Sequence, residues 1–187
     1  MKKIIVFLLI LISNLVHSQD VVADSILSNE IRILQAKKCT HYFFLKKYSV
    51  GSNNLTATEN PNCNYSFDLY LFWEDSQGIF FRKLNKCNSQ PIKITTDLFV
   101  NFATKLKSIK NEKIKPYQVN PEEFSTINHS EYAEILFQFN NKISSVKLDY
   151  YTISSDKESP NINYTYNTSL PTVKWLLECD SLILNSR

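Results

Sequence analysis

The chain has 187 residues, a formal net charge of +3, 43% hydrophobic residues and 13% aromatic ones, enough apolar material for one globular domain with a real core. Its only glycines are Gly51 and Gly78, which excludes P-loops, dinucleotide fingerprints and nucleophile elbows, because each needs several glycines where backbone must approach a ligand or turn sharply. The small net charge also excludes a nucleic-acid partner, which would call for a clustered basic face; the five lysines of "KLKSIKNEKIK", residues 105–115, read as a solvated helix end.

The chain opens with "MKKIIVFLLILISNLVHSQD", in which two lysines precede an apolar run, Ile4 to Ile12, and a polar stretch ending at Ser18. That is the layout of a secretory signal peptide, with Val16 and Ser18 at the small-residue positions before the cut. A membrane span needs roughly 20 apolar residues, and Ser13 and Asn14 interrupt this run too early. The expectation is therefore a cleaved leader, residues 1–18, and a single mature domain, residues 19–187, secreted or periplasmic and without stable membrane insertion. Losing Lys2 and Lys3 takes the net charge from +3 to +1. An excess of Lys over Arg, with abundant Asn and Ile, fits an AT-rich bacterial genome.

Residues 20–37 place Val22, Ile26, Ile33 and Ala36 along one helical face and predict a first helix. Cys39 and His41 follow, two residues apart, a spacing that could pair a nucleophile with its base. In an exported chain, however, four cysteines read as two disulfides. Cys63 and Cys87 flank an apparent hairpin, which leaves Cys39 to bridge Cys179 and tie the ends of the domain together. A zinc site would need more ligands than Cys39, His41 and the remaining mature histidine, His129, supply, and no cofactor is implied.

"THYFFLKKYSV" reads as a strand and residues 50–63 as an exposed loop. In residues 64–86, Tyr65, Phe67, Leu69, Leu71 and Trp73 alternate with polar neighbours, Gly78 closes a turn, and Tyr70 with Phe72 requires cover on the second face. "TTDLFVNFATKLKSIK" predicts a helix capped by Thr96 or Asp97, with Leu98, Phe99, Phe102, Leu106 and Ile109 as its core stripe. Residues 131–154 predict a second hairpin about a two-residue Asn140-Asn141 turn, pairing Phe139 with Lys142, Ile135 with Val146, Ala133 with Leu148 and Glu134 with Lys147. Its polar face would carry Tyr132, Glu134, Gln138, Lys147, Asp149 and Tyr151. Residues 155–171 form a polar connection holding Tyr164 and Tyr166. The last helix is capped by Ser169, starts at Pro171 and docks Val173, Leu176, Leu177 and Leu184. The sum is an α+β domain: an antiparallel sheet built from two hairpins, with the N-terminal, central and C-terminal helices packed on one face.

No stretch carries a catalytic signature. His41, His129, Glu131, Glu134 and Asp149 could assemble an acid and a base only if the fold converged them, so a hydrolase ranks third among the readings. The favoured reading is a non-enzymatic protein that binds a macromolecular partner, most simply another protein, through Tyr132, Glu134, Lys147, Tyr151, Tyr164 and Tyr166. Its build resembles periplasmic immunity or inhibitor proteins in kind, though in no motif. The rival is a small-ligand or glycan site on the Tyr164 and Tyr166 segment. Two short modification patterns complete the reading: "DSI" and "DSL", at Ser25 and Ser181, resemble a periplasmic O-glycosylation acceptor, and sequons occur at Asn54, Asn64, Asn128, Asn163 and Asn167.

Overall fold

Residues 42–45 and 67–73 are apolar at nearly every position, so a strand built from either has two faces to hide. The computed structural model, which describes residues 22–50, 66–84, 89–109, 111–127, 129–139 and 142–186, hides both. Six strands, β1 (His41–Val50), β2 (Phe67–Asp75), β3 (Gly78–Lys83), β4 (Ile92–Ile94), β7 (Ser130–Phe139) and β8 (Lys142–Asp149), form one sheet in the order β4-β3-β2-β1-β7-β8. Every neighbouring pair is antiparallel. A small second sheet pairs β5 (Gln118–Asn120) with β6 (Glu123–Phe124).

On one face Phe43, Leu45, Tyr70, Phe72, Ile135 and Phe137 pack beneath α2 (Phe102–Ile109) and α4 (Pro171–Asn185). On the other, Tyr42, Phe44, Phe67, Leu69 and Leu71 pack beneath α1, residues 22–36. The mixed α+β class with an antiparallel sheet is thus found as expected, but the helices lie on both faces and not on one. The reason is the consecutive apolar residues of β1 and β2, which leave neither face fit for water.

The helix stripes differ from expectation in instructive ways. Helix α1 buries Ala23, Leu27 and Leu34, a stripe turned by roughly 100° from Val22, Ile26, Ile33 and Ala36, and Ile33 is exposed. All five expected stripe residues around α2 are buried, yet the helix begins only at Phe102, because Asn101 adopts a positive φ of 54° that interrupts regular winding. Thr96 still accepts the Leu98 amide at 3.1 Å. In α4, Pro171 opens the helix after Leu170, without a Ser169 cap; Thr172, Val173, Trp175, Leu176, Cys179 and Ile183 are buried while Leu177 and Leu184 face out.

The second hairpin has the expected register, with Phe139 opposite Lys142, Ile135 opposite Val146, Ala133 opposite Leu148 and Glu134 opposite Lys147. Residues 155–171 are better organised than a loop. Helix α3 (Tyr164–Ser169) carries buried Asn167, and Asn161 and Asn163 are buried before it. Asn161 donates to the carbonyls of Thr152 and Ser154 and accepts the Gln118 amide; Asn163 donates to Pro116; Asn167 spans Lys115 and Thr152. Three side-chain amides thereby supply the hydrogen bonds that residues 115–118 would otherwise take from a neighbouring strand. Burial also rules out Asn163 and Asn167 as glycan acceptors in the folded protein. The leader, the loop 51–63, Tyr65, Cys63, Cys87, Asn54, Asn64, Asn128 and the Asn140-Asn141 turn lie outside the described residues.

Candidate functional site

Cys39 and His41 do not form a catalytic pair. The Cys39 thiol packs in the α1 cluster and donates to the carbonyl of Glu74 at 3.3 Å, with the His41 carbonyl at 3.7 Å. The His41 ring lies beside Phe102 of the α2 helix, and its Nδ1 pairs with the Glu74 carboxylate at 2.8 Å. Thiol and imidazole therefore serve opposite faces of the sheet. Burial, helped by Asp75 and Glu74, pushes the Cys39 thiol above its ordinary pKa despite its bonds to backbone carbonyls, the reverse of what a thiolate nucleophile needs.

The expected Cys39–Cys179 bridge is absent: both are free thiols. Cys179 is fully buried in the α2/α4 cluster, across the sheet from Cys39. Its pKa is raised well above normal by desolvation and by the carboxylates of Asp180 and Glu178. Among the described residues no group of three or more His, Cys, Asp or Glu side chains could hold a metal ion. His41 opens β1 on the α2/α4 face, whereas Glu134 is opposite Lys46 in mid-strand on the α1 face, so these two acid and base candidates do not converge.

Past Tyr42 and Phe44 the α1 face of the sheet turns polar. On the α1 face, β1 carries Lys46 and Tyr48 opposite Glu134 and Tyr132 of β7, and Glu134 is opposite Lys147 of β8. Tyr48 and Tyr132 stack with centroids 5.5 Å apart and planes 24° apart. The Lys147 Nζ lies 4.0 Å from the Tyr132 centroid and 5.3 Å from that of Tyr48, and the Lys46 Nζ lies 5.3 Å from Tyr48. A hydrogen bond to Tyr48 holds the Lys147 pKa above its ordinary value; burial opposes it, and Tyr48, Tyr132 and Glu134 add smaller electrostatic support. Lysine heads over aromatic rings are mutually stabilising at close range, so the cluster is fixed in shape before anything binds it.

This cluster borders an open edge. Tyr150 donates its amide to the Glu131 carbonyl at 3.0 Å. Hydrogen-bonded pairs recur every second residue in an antiparallel ladder, so Ser145 and Lys147 turn their peptide groups away from β7. No further strand pairs with β8 among the described residues.

The six expected binding residues thus divide. Tyr132, Glu134 and Lys147 come together, joined by Lys46 and Tyr48. Tyr151 instead stacks on Tyr117, with centroids 4.3 Å apart, and its hydroxyl lies 2.6 Å from that of Ser125. Tyr164 and Tyr166 sit on α3, 42% and 40% exposed, with the Tyr166 hydroxyl bonded to the Lys113 carbonyl and the Lys115 ammonium over its ring. Lys46 and Tyr48 were not legible as site residues because nothing local in "HYFFLKKYSV" says that β7 lies beside β1. In a cleft of about 450 Å³ between α1 and the β2–β3 hairpin, lined by Cys39, Trp73 and Arg82 among others, Arg82 pairs with Glu30 at 2.8 Å and the Trp73 indole donates to Asp75 at 3.1 Å. Compared with models of known protein families, with curated proteins and with solved structures, the chain finds no significant match in any of the three.

Proposed function

We propose that this is an exported, non-enzymatic binding protein whose partner is another protein, docked on the exposed half of the sheet formed by β1, β7 and β8. The observation that carries the reading is the Tyr48–Tyr132 stack held beneath the Lys147 ammonium, both rings only partly buried at the margin of the α1 cluster. Rigid tyrosines offer large contact area at small entropic cost, and residues of this kind dominate protein-binding hot spots. Lys46, Glu134 and Lys147 alternate in sign across three strands, a pattern that selects a partner with complementary charges and suits no polyanion. The adjoining edge of β8 gives the same partner backbone groups to pair with. A bridge between Cys63 and Cys87 would tie down the hairpin in the oxidising compartment to which the leader directs the chain. The glycan reading draws less support, since Tyr164 and Tyr166 are two residues apart on a helix and do not share a face.

The test is capture of a partner from the envelope and medium of the native cells by tagged mature protein, run in parallel with Tyr132→Ala and Lys147→Glu. The expected result is a stoichiometric protein retained by the parent and weakened by about 30-fold or more in either variant, the size of a hot-spot loss. Equal retention by all three proteins would remove the sheet face from the binding site.

A further inference from the structure

Beyond α1, toward the β3 end of the sheet, lies an aromatic platform. Trp73 of β2 and Phe80 of β3 are cross-strand neighbours, their rings stacked with centroids 5.4 Å apart and planes 19° apart. Lys93 of β4 is opposite Phe80 in turn and holds its Nζ 5.9 Å from that ring's centroid. The Trp73 indole N–H donates to one oxygen of Asp75 at 3.1 Å, and the other oxygen accepts the Gln77 amide at 2.8 Å, so the β2–β3 turn fixes the edge of the ring as Phe80 fixes its plane. A ring restrained in both ways has its orientation set before any ligand arrives. Both rings nevertheless stay only partly buried. Trp73 lines the cleft of about 450 Å³ between α1 and this hairpin, a volume near the lower end of the roughly 300–1,000 Å³ usual for small-ligand sites. The opposite wall is the C-terminal part of α1, where Glu30, Ile33, Leu34 and Lys37 stand at the i, i+3, i+4, i+7 spacing that turns one side of a helix to the cleft. Ile33, 38% exposed, is therefore an apolar side chain on a cleft wall and not in the core.

The lining selects the ligand by its balance. It holds two carboxylates, Glu30 and Asp75, and two cations, Lys37 and Arg82, so its formal charges cancel. Much of that charge is already committed, since Arg82 pairs with Glu30 at 2.8 Å and each oxygen of Asp75 accepts one bond. An anion drawn to Lys37 and Arg82 meets both carboxylates as well, and a cation meets the reverse, so neither is favoured. A hydroxyl gains from both signs: it donates to the remaining lone pair of a carboxylate oxygen and accepts from an ammonium or guanidinium. Ile33, Leu71 and the indole ask in addition for an apolar body, and the negative face of the indole quadrupole favours one that presents polarised C–H groups. A pyranose ring has C–H groups on its face and hydroxyls around its rim. We infer that this cleft binds a single neutral pyranose sugar, its C–H face packed on Trp73 and its hydroxyls hydrogen-bonded to Asp75, Arg82 and Lys37. The cleft lies over β2 and β3, across β1 from Tyr132 and Lys147, and includes neither Tyr164 nor Tyr166, so it stands independently of the protein-binding reading.

Titration of the mature protein with the methyl glycosides of glucose, galactose, mannose and N-acetylglucosamine gives the test, with benzoate as an anionic aromatic control. Saturation-transfer NMR of each probe measures its affinity, and the protein's two indole N–H resonances, told apart by the loss of one in Trp73→Phe, report where it binds. The expected result is saturable binding of at least one glycoside, about tenfold or more tighter than benzoate, that moves the Trp73 resonance and leaves still that of Trp175, which is buried on the other face of the sheet. Affinity for that glycoside should fall about tenfold or more in Trp73→Ala and severalfold in Lys37→Ala, a change at an exposed position, with the Trp175 resonance in its parental place as the check that each variant is folded. Three results overturn the proposal: no saturable binding of any of the four glycosides, benzoate bound as tightly as the best of them, or parental glycoside affinity in both folded variants.

Discussion

Replacing Asn167 with alanine tests the least expected part of the fold. Asn167 is fully buried on α3; its Oδ1 accepts the Lys115 amide at 3.0 Å, and its Nδ2 donates to the carbonyls of Lys115 at 2.9 Å and Thr152 at 2.8 Å. The Thr152 carbonyl keeps a second donor in Asn161, so alanine leaves two orphans, the N–H and C=O of Lys115. An unsatisfied buried backbone group costs about 1–3 kcal/mol, and because the Lys115 side chain is exposed, water recovers part of that. The expected loss is about 3 kcal/mol, equivalent in a domain of this size to a fall in Tm of about 6–12 °C. Asn167→Asp should be at least as damaging, since a carboxylate keeps the acceptor but sets negative charge against two carbonyls.

Urea unfolding followed by tryptophan fluorescence measures this directly, with Asn185→Ala as the exposed control expected to stay within about 0.5 kcal/mol of the parent. If Asn167→Ala lies within 1 kcal/mol of the parent at an unchanged denaturant slope, the asparagine ladder does not hold residues 115–118 in place, and the account given of that segment is wrong.

Two further outcomes follow from buried titratable groups. Burial, and then the hydrogen bond to Asp180 at 2.7 Å, pushes the Tyr150 phenol far above the ordinary tyrosine pKa. Its folded pKa exceeds its unfolded value, so the stability it contributes is full below about pH 10 and is lost as pH rises beyond that. Stability should therefore fall on the alkaline side, and Tyr150→Phe, about 1–2 kcal/mol less stable at neutral pH, should show a flatter alkaline limb; an unchanged limb would show that Tyr150 does not set it. Cys39 and Cys179 are both free, so after non-reducing denaturation each should be labelled by a thiol reagent, whereas in the native protein Cys179 should be inert and Cys39 slow. Recovery of a peptide linking the two would contradict the thiol assignment.

What the sequence made legible was whatever its own neighbours determine. The β7–β8 register follows from a two-residue turn and a period of two, and the buried stripe Leu98, Phe99, Phe102, Leu106 and Ile109 follows from helical spacing. The misses are non-local. Which side of α1 is buried depends on the sheet it meets: the spacing of Val22, Ile26 and Ile33 competes with that of Ala23, Leu27 and Leu34 one position on, and the structure exposes Ile33. The polarity of residues 155–171 suggested a loop because buried asparagines are recognisable only with their partners, here 42 to 52 residues away for Tyr117, Asn161 and Asn167. Pairing cysteines by elimination failed because it took no account of the sheet standing between them.

The position of the candidate site follows from the same mismatch of dimensions. Helix α1 spans 15 described residues, about 22 Å long and about 10 Å wide, whereas six strands at about 4.8 Å spacing make a sheet more than twice that width. One helix can therefore cover β1, β2 and Leu136 of β7 but not β8 as well, and the residues beyond it must tolerate water. Serine, threonine and lysine would meet that requirement alone, as Ser145 and Lys147 do. Tyr48 and Tyr132 are more than tolerance demands: the stacked rings are only partly buried, Tyr48 against the α1 cluster, and keep apolar surface in water whose burial would be favourable. A partner that covers them would recover that free energy on binding. If that is their role, Tyr48→Ser and Tyr132→Ser should each abolish capture while lowering stability by only about 1–2 kcal/mol, the loss of the ring stack and its lysine contacts; capture retained by either folded variant would make the stack part of the core's support alone.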